Sequence, residues 1–178
     1  LLDRVEMVAI ELVPDGVAMV AVGAATLLPA DQELAALVGQ ARFAALSTAA
    51  AARGLEPAML NRLKPWAAAV LLGTPSINAG EVLDMAIYLA AGRRGLAVVG
   101  LETAAEQIAV FDTMAPATQM ALLDAFIKNH EQLPMHLEEL TQAYLSGVLR
   151  RVMDAARSQY DAVPPSVQGW FESELLER

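Results

Sequence analysis

The stretch LAVVGLETAAE, residues 96–106, decides the fold class that the sequence predicts. Its first six residues are apolar, which is typical of a short buried strand. Thr103 and Glu106 have the spacing of a capping box, so a helix is expected to begin directly after this strand. An earlier run, VEMVAIELV at residues 5–13, is rich in β-branched residues and predicts a buried strand that ends near Glu11.

Helical patterns occupy most of the remaining sequence. The chain is rich in alanine and leucine and only 5% aromatic, which favours packed helices over a β-sandwich. Helices are predicted at residues 32–52, 56–61, 64–73, 79–94, 103 onward, 116–129, 134–147, 148–160 and after Pro165. Asp31 is the predicted N-cap of the first helix, and Leu37, Val82 and Leu83 are expected to face inward. Residues 17–28 are predicted to form the hairpin partner of the first strand.

The order of these elements predicts an α-rich α/β fold. A small partial β-sheet is expected to carry a large helical insert at roughly residues 31–95 and 103–178. No repeat or linker divides the sequence, so a single domain over residues 1–178 is predicted. The sequence opens with Leu1 rather than Met, and we interpret the chain as a piece of a longer protein with an incomplete domain.

Composition argues against several classes of function. The 12 basic residues against 21 acidic ones give a formal charge of −9, which argues against nucleic acid as a partner. The chain has no cysteine, so disulfides, thiolate zinc sites and cysteine nucleophiles are excluded. Mean hydropathy is +0.41, but the apolar runs fall short of the roughly 20 residues of a membrane-spanning helix, so no transmembrane segment is expected. Nucleotide-binding glycine motifs do not occur.

Two carboxylates lie where the predicted strands end. Glu11 follows the first strand and Glu102 follows the second. If the strands are parallel, both side chains emerge at the carboxyl edge of one sheet, where open α/β sheets bind ligands. Paired carboxylates there would suit metal ligation or general acid/base catalysis. Alternatively, each glutamate marks the point where its strand leaves the core, with Glu102 near the positive end of the next helix. Both interpretations stay open.

The two histidines offer a weaker candidate for a metal site. His136 and Glu139 are three residues apart and could share one helix face. No second histidine follows at the next turn, and the segment HEQLPMHLEEL around His130 and His136 is polar. The pattern therefore favours two surface histidines.

The motif after the second strand resembles the TraB/GumN family. The segment GLET at residues 100–103 is followed by Gln107, Phe111, Gln119 and Leu122-Leu123, and looser matches are AIELVPDG at residues 9–16, Lys64-Pro65-Trp66 and Leu83-Asp84. The resemblance implies a Tiki-like, divalent-metal-dependent hydrolase that acts on a peptide or protein substrate, in the periplasm or cell envelope. It further implies that Glu11 and Glu102 are catalytic residues and metal ligands, and that Gln107 and Arg178 bind substrate.

The sequence departs from the family in one respect. The resemblance implies two metal-binding GxxH motifs, but His130 and His136 are the only histidines and neither has a glycine three residues before it. We therefore expect a divalent metal ion in the parent protein, but neither catalysis nor bound metal in this chain. The alternative is a non-catalytic helical binding or regulatory module that associates with a peptide or forms a homodimer.

Overall fold

The computed structural model describes residues 2–74 and 82–176, which form eleven helices and two strands. In chain order these are β1 (Met7–Ile10), α1 (Gly16–Ala25), α2 (Leu34–Val38), α3 (Gln40–Ala51), α4 (Pro57–Leu60), α5 (Pro65–Gly73), α6 (Leu83–Arg93), β2 (Ala97–Gly100), α7 (Ala104–Asp112), α8 (Pro116–Asn129), α9 (Leu133–Leu145), α10 (Leu149–Asp161) and α11 (Pro165–Phe171). A short 3₁₀ turn, Leu2–Arg4, precedes β1, and a π-helical turn, Glu172–Leu176, follows α11.

The two strands pair in parallel. Met7 of β1 lies opposite Ala97 of β2, and Ile10 lies opposite Gly100. Parallel strands need a long crossover connection, which the helices between residues 11 and 96 supply. The predicted α-rich α/β fold with a small sheet is therefore confirmed.

The chain divides into two compact units. The first unit comprises the described parts of Leu1–Thr26 and Ile77–Thr113, and the second those of Leu27–Ser76 and Met114–Arg178. In the first unit α6 contacts both strands and α1 packs against α7. In the second unit α8 packs against α3, α5 and α11, while α9 packs against α10. The single domain over residues 1–178 stays a prediction.

Leucines make up most of the buried core of the second unit. Its largest fully buried side chains are Leu34, Leu46, Leu60, Leu72, Leu122, Leu123 and Val167. Trp66, at the start of α5, is also buried. Removal of these side chains from water is the main favourable contribution to folding of this unit. No helix in the described part of the chain is both long and apolar enough to span a membrane.

The hairpin predicted at residues 17–28 is wrong, because a helix, α1, occupies most of this run. Asp15 is its N-cap, and one oxygen of the Asp15 carboxylate accepts a hydrogen bond of 2.8 Å from the Ala18 N–H. Continuous apolar runs do not distinguish a strand from a helix by periodicity. The cap and the alanines that follow it favour the helix.

The predicted helix at residues 32–52 is two helices. Gly39 separates α2 from α3 with a φ of +84° and a ψ of 149°, a conformation that glycine adopts without a side-chain clash. Glu33, not Asp31, is the N-cap residue of α2. Because the helix breaks here, the apolar stripe expected for one continuous helix is not kept, and Leu37 is 51% exposed.

Other expected buried residues are also exposed. Val82 precedes the first turn of α6, and Leu83 begins that helix with 70% of its surface exposed. In β1 only Ile10 is buried, and Val99 of β2 is exposed, because the described sheet has just two strands and α6 beside them. Residues 79–81 of the predicted helix lie outside the described residues.

Candidate strand-edge site

Main-chain pairing brings Glu11 and Glu102 to the same edge of the sheet. Beyond the last paired residues of the strands, the Leu101 N–H donates to the Ile10 carbonyl at 2.9 Å, and the Glu102 N–H donates to the Glu11 carbonyl at 2.9 Å. The parallel arrangement required by the sequence argument is therefore present. Two carboxylates from distant parts of the chain start from neighbouring main-chain positions.

The start of α7 adds Gln107 to this edge. The Thr103 hydroxyl oxygen accepts from the Glu106 N–H at 3.2 Å, and the Glu106 carboxylate accepts from the Thr103 N–H at 2.8 Å, which completes the predicted capping box. In the first turn of α7, the Gln107 side-chain Nε2 donates to Glu11 Oε1 at 3.0 Å. We call Glu11, Glu102 and Gln107 the strand-edge cluster.

Gly100 allows the chain to turn closely at the end of β2. A Cβ atom at this position would lie 3.2 Å from the Glu102 carbonyl oxygen and 3.3 Å from Val13 Cγ2. Both separations are tighter than ordinary van der Waals contact, so a side chain would push the turn away from residue 13. The glycine of the GLET segment therefore has a steric role.

The carboxylates of the strand-edge cluster lie at the surface. Glu11 and Glu102 are both exposed. Glu102 directly precedes the N-cap of α7, where the helix dipole stabilises negative charge. One carboxylate oxygen of Glu11 accepts a hydrogen bond from the Gln107 side-chain amide. The cluster can therefore bind a cation or a hydrogen-bond donor.

The residues present do not form a complete metal centre. Across residues 2–74 and 82–176, no group of three or more His, Cys, Asp or Glu side chains is placed to hold a metal ion. The strand-edge cluster offers two carboxylates and an amide oxygen, which suit a hard divalent cation but are too few to enclose it. No reaction step through a metal ion therefore follows from this geometry.

The described histidines and Glu139 are not part of the strand-edge cluster. Arg178 lies outside the described residues. His136 lines a cavity that also includes His130, whereas Glu139 lines a different one, and within the described ranges no third ligand joins them to form a metal site. The two histidines are half-buried rather than surface residues, because helices of the second unit pack around them.

Tyr160, in the second unit, has a raised pKa. Its hydroxyl donates to Glu172 Oε1 at 2.6 Å, and this hydrogen bond is the main cause that raises the pKa of Tyr160 to about 12. Tyrosine is protonated at neutral pH in any case, and this contact extends the protonated range of Tyr160 to higher pH. Its proton is held by a structural contact within the second unit.

Sequence reasoning missed two features of these sites. Gln107 was assigned only by resemblance, and its hydrogen bond to Glu11 joins residues 96 positions apart, so no local spacing reveals it. The shared cavity of His130 and His136 depends on a third helix, α10, which contributes Gln159. The short distance in sequence between the two histidines was the single available signal.

Comparison with known proteins gives one clear finding. The chain matches the TraB/PrgY/gumN family over residues 1–177. No curated protein and no solved structure shows a significant match. The family match spans nearly the whole sequence and includes both strands and the strand-edge cluster. The chain therefore belongs to the TraB/PrgY/gumN family.

Proposed function

We propose that the strand-edge cluster is the acidic part of a divalent-metal-dependent hydrolase site that acts on a peptide or protein substrate. The observation that carries this proposal is the main-chain pairing of Glu11 with Glu102, which places both carboxylates at one sheet edge. Such an edge is where open α/β sheets bind ligands. A divalent cation bound with such carboxylates would supply an activated water molecule.

The cluster residues have separate proposed roles. Glu102 and Glu11 are the proposed catalytic carboxylates and metal ligands. Gln107 donates to Glu11 and thereby orients that carboxylate toward the edge, in addition to its proposed contact with substrate. Arg178 is proposed to contact substrate as well, and the compartment is proposed to be the periplasm or cell envelope, in line with the resemblance to the family.

These 178 residues are proposed to be inactive by themselves. They contain no GxxH motif, and in their described part no third His, Asp or Glu side chain joins Glu11 and Glu102. The expected role of the cluster in this chain is therefore weak cation binding without turnover. Any metal-dependent cleavage of a fluorogenic peptide library by the purified chain would contradict this point.

Manganese binding to the purified chain tests the cluster directly. In Mn²⁺ titrations followed by electron paramagnetic resonance, Glu11→Gln and Glu102→Gln should each raise the Kd by on the order of tenfold, because each removes a unit charge beside the cation. Glu6→Gln is the matched control, since Glu6 is an exposed carboxylate just before the opposite end of β1. Equal affinity in all three variants would exclude the strand edge as the cation site.

A second candidate function is a non-catalytic helical binding module. The observation that favours it is the apolar tip of the α9–α10 hairpin, where Tyr144 is 74% exposed and Leu145 and Leu149 are exposed to a similar degree. This function predicts self-association that rises with protein concentration and needs no metal. Sedimentation velocity in the presence of EDTA measures it, and a monomer at the highest concentration would exclude the self-associating version.

A further inference from the structure

Both histidines of the chain line one small cavity in the second unit. His130 is the C-cap residue of α8, and His136 lies in the first turn of α9. The cavity has a volume of about 80 Å³, and Gln159 of α10 closes another side of it. Three helices therefore hold two imidazole-bearing residues around a space that admits a few atoms.

The hydrogen-bond partner of the His130 ring determines which ring nitrogen carries the hydrogen. His130 Nδ1 lies 2.7 Å from the main-chain oxygen of Ile127. Because a carbonyl oxygen only accepts hydrogen bonds, Nδ1 carries the hydrogen, and in the neutral ring Nε2 keeps its lone pair. Metal-binding histidines are oriented in this way, with one ring nitrogen donating to a main-chain carbonyl and the other facing the metal.

His136 is held by its main chain rather than by its ring. Its carbonyl oxygen accepts a hydrogen bond of 3.4 Å from Gln159 Nε2, which links the start of α9 to α10. Among the described residues the His136 ring makes no hydrogen bond, so either ring nitrogen can be the one that carries the lone pair and binds a metal ion. The rest of the lining is mainly apolar, with Phe126, Leu133 and Val163 among it.

We propose that His130 and His136 form a site for a borderline transition-metal ion of the Ni²⁺, Cu²⁺ and Zn²⁺ series. Imidazole nitrogen is a preferred ligand of these ions, and Cu²⁺ binds most tightly of the three. Oxygens of Asn129 or Gln159 and water would complete the coordination, since no third histidine or acidic side chain joins the pair within the described ranges. This site lies in the second unit and uses none of the residues of the strand-edge cluster.

Copper binding to the untagged chain tests this site. The expected result is one Cu²⁺ per chain, with an electron paramagnetic resonance spectrum that shows hyperfine coupling to two imidazole nitrogens. His130→Asn and His136→Asn should each weaken Cu²⁺ binding by roughly tenfold or more, as measured by calorimetry. Glu139→Gln is the control: it lies one helical turn after His136 but lines a different cavity, so its affinity should equal that of the unsubstituted chain.

Three outcomes would overturn the proposal. The first is unchanged Cu²⁺ affinity in either histidine variant, and the second is a loss of affinity in Glu139→Gln equal to the loss in the histidine variants. The third is one ion per two chains in sedimentation experiments, which would show that the histidines bridge separate molecules. His136→Asn keeps the hydrogen bond between His130 and Ile127. Its urea midpoint, followed by tryptophan fluorescence, should therefore equal that of the unsubstituted chain. Equal midpoints would show that the variant loses Cu²⁺ binding without unfolding.

Discussion

Replacement of Leu123 by alanine is expected to lower the free energy of unfolding of the second unit by about 2–5 kcal/mol. Leu123 lies in the middle of α8 and is 0% exposed. Helix α8 packs against α3, α5 and α11, so the shortened side chain leaves a cavity among several helices that cannot all close on it. The loss combines the transfer of the leucine side chain with the energy of that cavity.

Tryptophan fluorescence reports this loss selectively. The two tryptophans of the chain, Trp66 and Trp170, both lie in the second unit, so a urea titration followed at their emission measures the unfolding of that unit. Leu149→Ala is the matched control, because Leu149 is 72% exposed at the start of α10 and should change stability by less than about 0.5 kcal/mol. Equal urea midpoints for the two variants would mean that α8 is not the centre of the core.

Local signals explain which parts of the fold were predictable. The strand at residues 97–100 is a short apolar run, and the capping box at Thr103 specifies where α7 begins; both are confirmed. Helices α5, α8 and α11 begin at a proline, which favours the first turn. These features depend on residues within one turn of each other. The helix at residues 16–25 was missed because its apolar run has no period that separates helix from strand.

The candidate sites show the same limit over longer distances. The meeting of Glu11 and Glu102 could be predicted, because two strand ends in a parallel sheet necessarily share an edge. The bond from Gln107 to Glu11 and the cavity of His130 and His136 depend on how helices pack, which no local spacing reports. The polar residues near the histidines favour exposure, but His130 and His136 are only partly exposed because they line a cavity between helices.

A second large effect is expected at Arg62, which follows α4. Its guanidinium donates to the carbonyl oxygens of Leu28, Pro29 and Gln32 at 3.0, 3.1 and 2.8 Å. These oxygens belong to a loop in which most carbonyl groups have no partner in a helix or strand. The planar guanidinium, which has several N–H donors, therefore supplies the hydrogen bonds that regular secondary structure would otherwise provide. Charge-assisted hydrogen bonds of this kind stabilise a fold more than neutral ones.

Arg62→Met should therefore lower the free energy of unfolding of the second unit by about 2–3 kcal/mol. Arg62→Lys should recover less than half of that loss, because one ammonium group cannot span carbonyls that the two guanidinium nitrogens reach together. Arg150→Met, at an exposed position of α10, is the control and should change stability by less than about 0.5 kcal/mol. Full recovery by lysine would show that charge alone matters at this position. A methionine variant as stable as the control would show that the segment at residues 28–32 is held by its other contacts, among them the 2.8 Å hydrogen bond from the Leu28 N–H to the Arg62 carbonyl, which neither substitution removes.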